Sequence, residues 1–289
     1  MLGSSLCILY HAKHQVFAFH RDEKCYVDCF ADYSVDLTEA RKVEEQFNNL
    51  DPDIVIHCAG LTNVDLCEKE PEEAYLSNVT ATENVARYCP DKTMLVYISS
   101  DQVYGESKFR SEESVDLHPV NQYGQTKLQG EEMVREVSSN YMIIRTNIFG
   151  WNVKLGNISS AEWIFHSLEK CKEITLFTNY IFSPIFSEYL GGVILQLFEK
   201  NFQGTVNVGS PTSCSKYEFG ITLARIFNFD VSLISAGNIL SHKFFAPRPA
   251  ELSLNLSKIS DLVTNLPTYE MSLMKFFKDK RSKIDQKIH

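Results

Sequence analysis

Met94-Leu95-Val96-Tyr97-Ile98-Ser99-Ser100-Asp101 is an apolar, partly β-branched run that stops abruptly at two hydroxyls and a carboxylate. Its length and composition predict a buried strand with polar groups at its carboxyl end. In open α/β sheets, ligands bind in the crevice beyond such strand ends. A serine there can donate a hydrogen bond to a substrate carbonyl; Ser99 can equally close the strand in a serine turn. Downstream, Tyr123-Gly124-Gln125-Thr126-Lys127 sets a phenol and an ammonium one helical turn apart, on one face. A free Tyr has a pKa of about 10, and a neighbouring ammonium favours the phenolate. Alone, such a pair is a common coincidence on solvated helices. Beside serines at a strand end it is a candidate proton-transfer site.

Similar strand-like runs recur along the chain at Val16–Phe19, Tyr33–Leu37, Asp53–His57, Tyr141–Arg145 and Thr205–Gly209. Helical segments alternate with them. Thr38 is placed to cap a helix whose early Glu39, Glu44 and Glu45 suit the helix dipole. Pro71 opens a helix to Cys89, the Tyr123 helix runs to about Val137, and Ser213 or Ser215 starts one over Lys216–Phe227. Gly105–Pro119 and Ala246–Pro249 read as loops, and the tail from Lys275 as a helix end fraying into solvent. This alternation predicts an α/β protein with a doubly wound parallel sheet. The expected boundaries are a nucleotide-binding domain at 1–150, with a segment near 185–210 returning to it. A smaller lobe takes 151–184 and 211–289.

The chain has 289 residues and a net charge of −9, which argues against non-specific binding to nucleic acid or anionic membrane. No apolar run approaches the roughly 18 residues of a spanning helix. The run Leu6–Tyr10 is broken by His11, Lys13 and His14 and does not read as a signal peptide. The 8 cysteines form no C-x-x-C pair and the 8 histidines no H-x-x-x-H pair, so no metal site is expected. Cys58 and Cys89 read as small core residues, and free thiols suit a reducing cytoplasm.

Several pieces, in order, resemble extended short-chain dehydrogenases/reductases, and within them the dTDP-4-dehydrorhamnose reductase branch. They are Asp36-Leu37-Thr38-Glu39, Asp53–Gly60, Glu70–Tyr75 leading to Asn78-Val79, Ile98–Gly105, Pro119–Lys127, Arg145-Thr146-Asn147, and more weakly Ser183-Pro184-Ile185 and Arg248-Pro249. The resemblance implies a Rossmann-like fold and an NADP- or NAD-dependent reductase of a nucleotide sugar. It implies that Tyr123 gives the proton, that Lys127 holds the nicotinamide ribose and lowers the Tyr123 pKa, and that Ser100 orients the carbonyl. Gly3, Arg21, Asp36, Leu37, Ala59, Gly60, Leu61, Asn78 and Ser99 are the implied cofactor contacts. Asp101, Tyr104, Asn147 and Arg248, with Lys243 near the last, are the implied substrate contacts. His20 stands where an acid would bind the NAD ribose and Arg21 follows it, which favours NADP(H), with NAD(H) possible; a solvated Arg is the plain alternative. Gln102, following Asp101, cannot exchange a proton and counts against a 4,6-dehydratase. Epimerases share Ser, Tyr and Lys. The regulatory subunit of methionine adenosyltransferase resembles the same branch, so a homodimer or a partner-enzyme complex is also implied.

The family opens with a strand and a G-x-x-G-x-x-G turn that seats a pyrophosphate on a helix N-terminus. Met1-Leu2-Gly3-Ser4-Ser5-Leu6 fits the end of that turn, with Gly3 as its third glycine. The expectation is a truncated form, with its first strand missing. Four buried aliphatic side chains of such a strand contribute roughly 6–12 kcal/mol, at about 1.5–3 each, so cofactor binding should be weakened.

Overall fold

The computed structural model describes residues 1–21, 27, 29–106, 111–153 and 158–285, with side chains to 280. Helix α1 (Leu2–Tyr10) leads to strands β1 (Phe17–His20) and β2 (Ala31–Ser34), helix α2 (Ala40–Phe47), β3 (Ile54–His57) and α3 (Val64–Lys69). Helix α4 (Pro71–Tyr75) passes through a π-turn at Leu76–Thr80 into α5 (Ala81–Tyr88). Next come β4 (Met94–Ile98), a 3-10 turn at Asp101–Tyr104, α6 (Gln122–Val137), β5 (Tyr141–Phe149) and α7 (Ser160–Glu169). They are followed by β6 (Ile174–Phe177), β7 (Ile181–Phe182), β8 (Pro184–Phe186), α8 (Ser187–Glu199) and β9 (Gly204–Val208). The chain ends with β10 (Cys214–Ser215), α9 (Lys216–Phe227), β11 (Ile234–Gly237), β12 (Glu251–Leu252), α10 (Ser257–Leu262) and α11 (Tyr269–Asp285).

Strands β3, β4 and β5 pair in parallel, with β9 on the first half of β5 and β8 on its last residues. All five residues of β4 are buried, as a strand covered on both faces must be. Alternation divides them: Met94, Val96 and Ile98 face a core shared with α1 and α8, while Leu95 and Tyr97 face one shared with α2, α5 and α6. This is the expected doubly wound α/β arrangement. Strands β1 and β2 form a parallel sheet of their own, joined to the rest through Phe19, Tyr33 and Phe47.

A third core, rich in aromatic rings, builds the lobe. Trp151 stacks on Phe276 at 3.9 Å between centroids, and Phe149, Phe165, Phe182 and Phe219 pack around them. Leu254, Leu256, Ile259 and Val263 turn back into the core of the main sheet, whereas Leu273 and Phe276 of α11 return to the lobe. Two local expectations change. Thr38 does not cap α2: its N–H and hydroxyl both donate to Asp36 Oδ1, at 2.9 and 2.7 Å, and the helix starts after Glu39. The second strand lies at Ala31–Ser34, earlier than Tyr33–Leu37, because Val35 and Leu37 are drawn into the core beside it.

Candidate active site

The end of β4 is built as its sequence suggests. Ser100 is the N-cap of the 3-10 turn and accepts from the Gln102 N–H at 3.2 Å. Its hydroxyl donates to Asp101 Oδ1 at 3.2 Å and lies close enough to the Tyr123 phenol to favour its ionised form. Asn147, near the end of β5, donates to Asp101 Oδ2 at 2.6 Å. Helix α6 delivers Tyr123 and Lys127 to the same crevice. Asn121 caps it by accepting from the Gly124 N–H at 2.9 Å, and donates to Gln102 Oε1 at 3.1 Å. Gly124 is required there, since a Cβ would lie 2.6 Å from the Gln102 carbonyl oxygen.

The electrostatics depart from one expectation. Burial pushes the Tyr123 phenol up to about 12; the bond to Ser100 opposes this and the Asp101 charge adds to it. Lys127 is not what sets it. The Lys127 ammonium lies 4.1 Å from the centre of the Tyr97 ring and is itself lowered to about 8 by burial, against the opposing charge of Glu131. Burial likewise raises Asp101 to about 6, although Asn147, Lys216 and Ser100 favour its ionised form.

A second crest of residues lines the ends of β1, β2 and β3. Asp36 is fixed by Thr38, and Arg21, exposed, lies close enough to lower the Asp36 pKa after those two hydrogen bonds. Leu37 packs in the core while its carbonyl accepts from Asn84 at 2.9 Å. Ala59 and Gly60 are exposed, and Asn78 clamps the turn: it accepts from the Leu61 N–H at 2.7 Å and donates to the Leu61 carbonyl at 3.1 Å. Asn78 Nδ2 also donates to Thr126 Oγ1 at 3.0 Å, tying this turn to α6. A Cβ on Gly60 would lie 2.7 Å from Asn78 Oδ1. Gly3 sits in the first turn of α1, facing Cys58 with room for a Cβ at 3.7 Å. The exposed, side-chain-poor backbone at Ala59–Gly60, with Asp36 and Arg21 alongside, suits a dinucleotide that needs close backbone approach.

Three expected contacts are held elsewhere. Ser99 donates to Glu131 Oε1 at 2.6 Å, in a buried network with Arg145 and Arg135. The Tyr104 hydroxyl accepts from Arg145 at 3.1 Å and donates to Asn207 Oδ1 at 2.7 Å. Arg248 is ion-paired with Asp65 of α3 at 2.9 Å. Conversely, Tyr180 and Lys216, which no expectation placed at the site, reach the crevice beside Gln102. The Tyr180 hydroxyl is 3.4 Å from Gln102 Nε2 and within electrostatic reach of Tyr123 and Asp101. A separate cavity of about 320 Å³ lies at the opposite ends of the strands, lined by Asp53, Met94, Asn140 and Gln203, and collects none of these residues.

A parallel α/β sheet with Ser, Tyr and Lys converging beyond its strand ends is the arrangement of short-chain dehydrogenases/reductases. The chain belongs to the family described as RmlD substrate binding domain, which matches residues 1–282. The probable low-salt glycan biosynthesis reductase Agl14 of Haloferax volcanii is 29% identical over 265 residues, 90% of this chain and 88% of that protein. Methionine adenosyltransferase 2 subunit beta of Xenopus tropicalis is 29% identical over 261 residues, 86% of this chain and 77% of that one. Among solved structures, dTDP-4-dehydrorhamnose reductase from Bacillus anthracis in complex with NADP superposes with a TM-score of 0.80 at 28% identity, covering 89% of this chain and 92% of that one.

Proposed function

We propose that this chain is an NADPH-dependent reductase of a 4-keto nucleotide sugar, with NADH as a possible second donor. The observation that carries the reading is the Ser100 hydroxyl at the end of β4, bonded to Asp101 and close enough to act on the Tyr123 phenol, with Lys127 one turn along α6. The cofactor, when bound, supplies hydride to the carbonyl carbon. Tyr123, held near 12 by burial, is fully protonated at neutral pH, which is the state a proton donor needs. Ser100 can turn its donor from Asp101 to the substrate carbonyl and hold that oxygen against the phenol. Lys127, at about 8, is mostly cationic at pH 7 and supplies positive charge as the alkoxide develops. Asp36, Gly60, Leu61 and Asn78 would hold the dinucleotide, and Arg21 its extra phosphate.

Tyr123→Phe tests this. Turnover of a dTDP-4-keto sugar should fall about 10²- to 10⁴-fold, with NADPH binding and melting temperature kept. Unchanged turnover removes Tyr123 from the mechanism. A second reading, as a regulatory subunit that binds NADP and a partner enzyme, is supported by the likeness to methionine adenosyltransferase 2 subunit beta. It is favoured if the wild-type chain binds NADPH, turns over no keto sugar and copurifies with such an enzyme.

A further inference from the structure

Lys127 stands on an aromatic floor. Its side chain is buried, and its ammonium lies 4.1 Å from the centre of the Tyr97 ring. Among the described residues, no acceptor lies within hydrogen-bonding or ion-pairing reach of that ammonium. Burial strips a cation of its hydration, and a π-face offsets part of that loss. The ring itself is fixed on several sides. Tyr97 is fully buried in β4, and its hydroxyl donates to the Lys127 carbonyl at 3.4 Å. One phenol thus holds one residue twice, the backbone by its hydroxyl and the ammonium by its face. His57, the partner of Tyr97 in register on β3, stacks against the ring at 5.7 Å between centroids and 30° between planes. Thr82 donates to the Asn78 carbonyl at 2.7 Å, so His57 Nε2 donates to Thr82 Oγ1 at 3.0 Å. Gly130 lets α6 settle this close, since a Cβ there would collide with the Tyr97 hydroxyl.

We infer that Tyr97 is a positioning residue: its ring keeps the Lys127 ammonium in place and charged below the crevice, with the three N–H donors left for a bound oxygen. Its bearing on turnover rests on the proposed function, in which Lys127 supplies positive charge to the developing alkoxide. Few other groups share the task. Glu131, one turn further along α6, favours the cation. At the end of β3, burial raises the Cys58 thiol to about 12 and lowers His57 to about 3, so neither is charged at neutral pH. With the ring removed, burial would act on the ammonium with Glu131 alone opposing it. The proton would then leave Lys127 at a lower pH.

The test compares wild type with Tyr97→Phe, Tyr97→Leu and Tyr97→trifluorophenylalanine; fluorination keeps the shape of the ring and weakens the negative charge on its face. Lys127 is titrated in the cofactor-free protein by carbon NMR of the lysine side chains, its signal identified by loss in Lys127→Met. Turnover of a dTDP-4-keto sugar is followed against pH in parallel. Tyr97→Phe should titrate as wild type does. The fluorinated ring and Tyr97→Leu should lower the Lys127 titration by about one pH unit, as a desolvated cation–π contact requires. The alkaline limb of turnover should move down with it, because the cation is lost earlier as pH rises. If Tyr97→Leu does not fold, the fluorinated ring decides. An unmoved titration with that ring, or an equal fall in Tyr97→Phe, overturns the inference. A titration that moves while the alkaline limb stays overturns the role in turnover. A titration that moves in a protein whose wild type reduces no keto sugar confirms the hold on Lys127 and overturns the reductase reading instead.

Discussion

The main parallel sheet and the β1–β2 pair beside it are built to different standards. Around β4 and β5, strands are flanked on both sides, every residue of β4 is buried, and Glu131 of α6 locks the layers together. It receives Ser99, Arg145 and Arg135 at once, at 2.6 to 2.9 Å. The β1–β2 pair is a two-stranded sheet whose strand residues are half-buried or exposed. A sheet of two strands is marginal by itself. The catalytic candidates ride on the over-determined half and the adenine-side candidates on the lean one. Chemistry that needs atoms held within tenths of an ångström sits where packing can hold them.

The sharpest way to break this contrast is to remove its lock. Glu131→Gln leaves the almost fully buried Arg145 without its anion, and breaking such a pair costs about 3–5 kcal/mol. Burial pushes Glu131 up, but the hydrogen bonds and charge of Arg145 outweigh this and hold it below the usual carboxylate range. Its stabilising contribution is therefore present above the ordinary carboxylate pKa and lost as pH falls through its folded value. Denaturant melts should show the mutant's deficit at pH 7 and its narrowing in acid. A loss below about 1 kcal/mol would mean that the lock is ornamental.

Hydrogen exchange compares the two halves directly. Amides of Val96 and Tyr97 should exchange only through global opening, whereas those of β1 and β2 should exchange at least about 100-fold faster through local opening. Equal protection would erase the contrast. NADPH should slow exchange at β2 and the Asp36 turn and leave β4 unchanged.

Lys127→Met asks whether the rigid half carries a cost for function. A lysine whose folded pKa is about 8, below its ordinary 10.5, disfavours the fold when protonated; this penalty builds as pH falls from 10.5 and is complete below 8. Replacing it should raise stability at pH 7 by about 1–3 kcal/mol, the gain shrinking as pH rises above 8 and vanishing near 10.5, while turnover is lost. A destabilised mutant would show that the contact with Tyr97 outweighs the desolvation.

Much of the strong half was legible in the sequence. Met94–Ile98 is apolar throughout because both faces are covered, and Tyr123, Lys127 and Ser100 lie close along the chain in recognisable order. Ser99 and Tyr104 turn away from the crevice for separate reasons: Ser99 and Ser100 alternate at the strand end, so Ser99 meets Glu131, while the Tyr104 hydroxyl is held between Arg145 and Asn207. Glu131 did carry a signal, being one turn beyond Lys127 on the same face. Lys216 carried none, because only the two-residue pairing of β7 with β10 brings it to the Tyr180 and Phe182 rings. Strands that short have no period to read.

Arg21 gives the smallest effect and probes the lean half alone. It is exposed, and its charge lies close enough to Asp36 to lower that carboxyl. Its loss should change stability by no more than about 0.5 kcal/mol. If Arg21 meets the extra phosphate of NADPH, Arg21→Ala removes one charge-assisted hydrogen bond there and none from NADH. The Kd for NADPH should then rise about 10-fold while that for NADH holds or improves, since Asp36 becomes freer to accept ribose hydroxyls. Cofactor fluorescence titrations measure both. If both affinities fall together, Arg21 supports the turn and does not read the phosphate. If neither moves, Arg21 is a solvated side chain and the phosphate is read elsewhere on this crest.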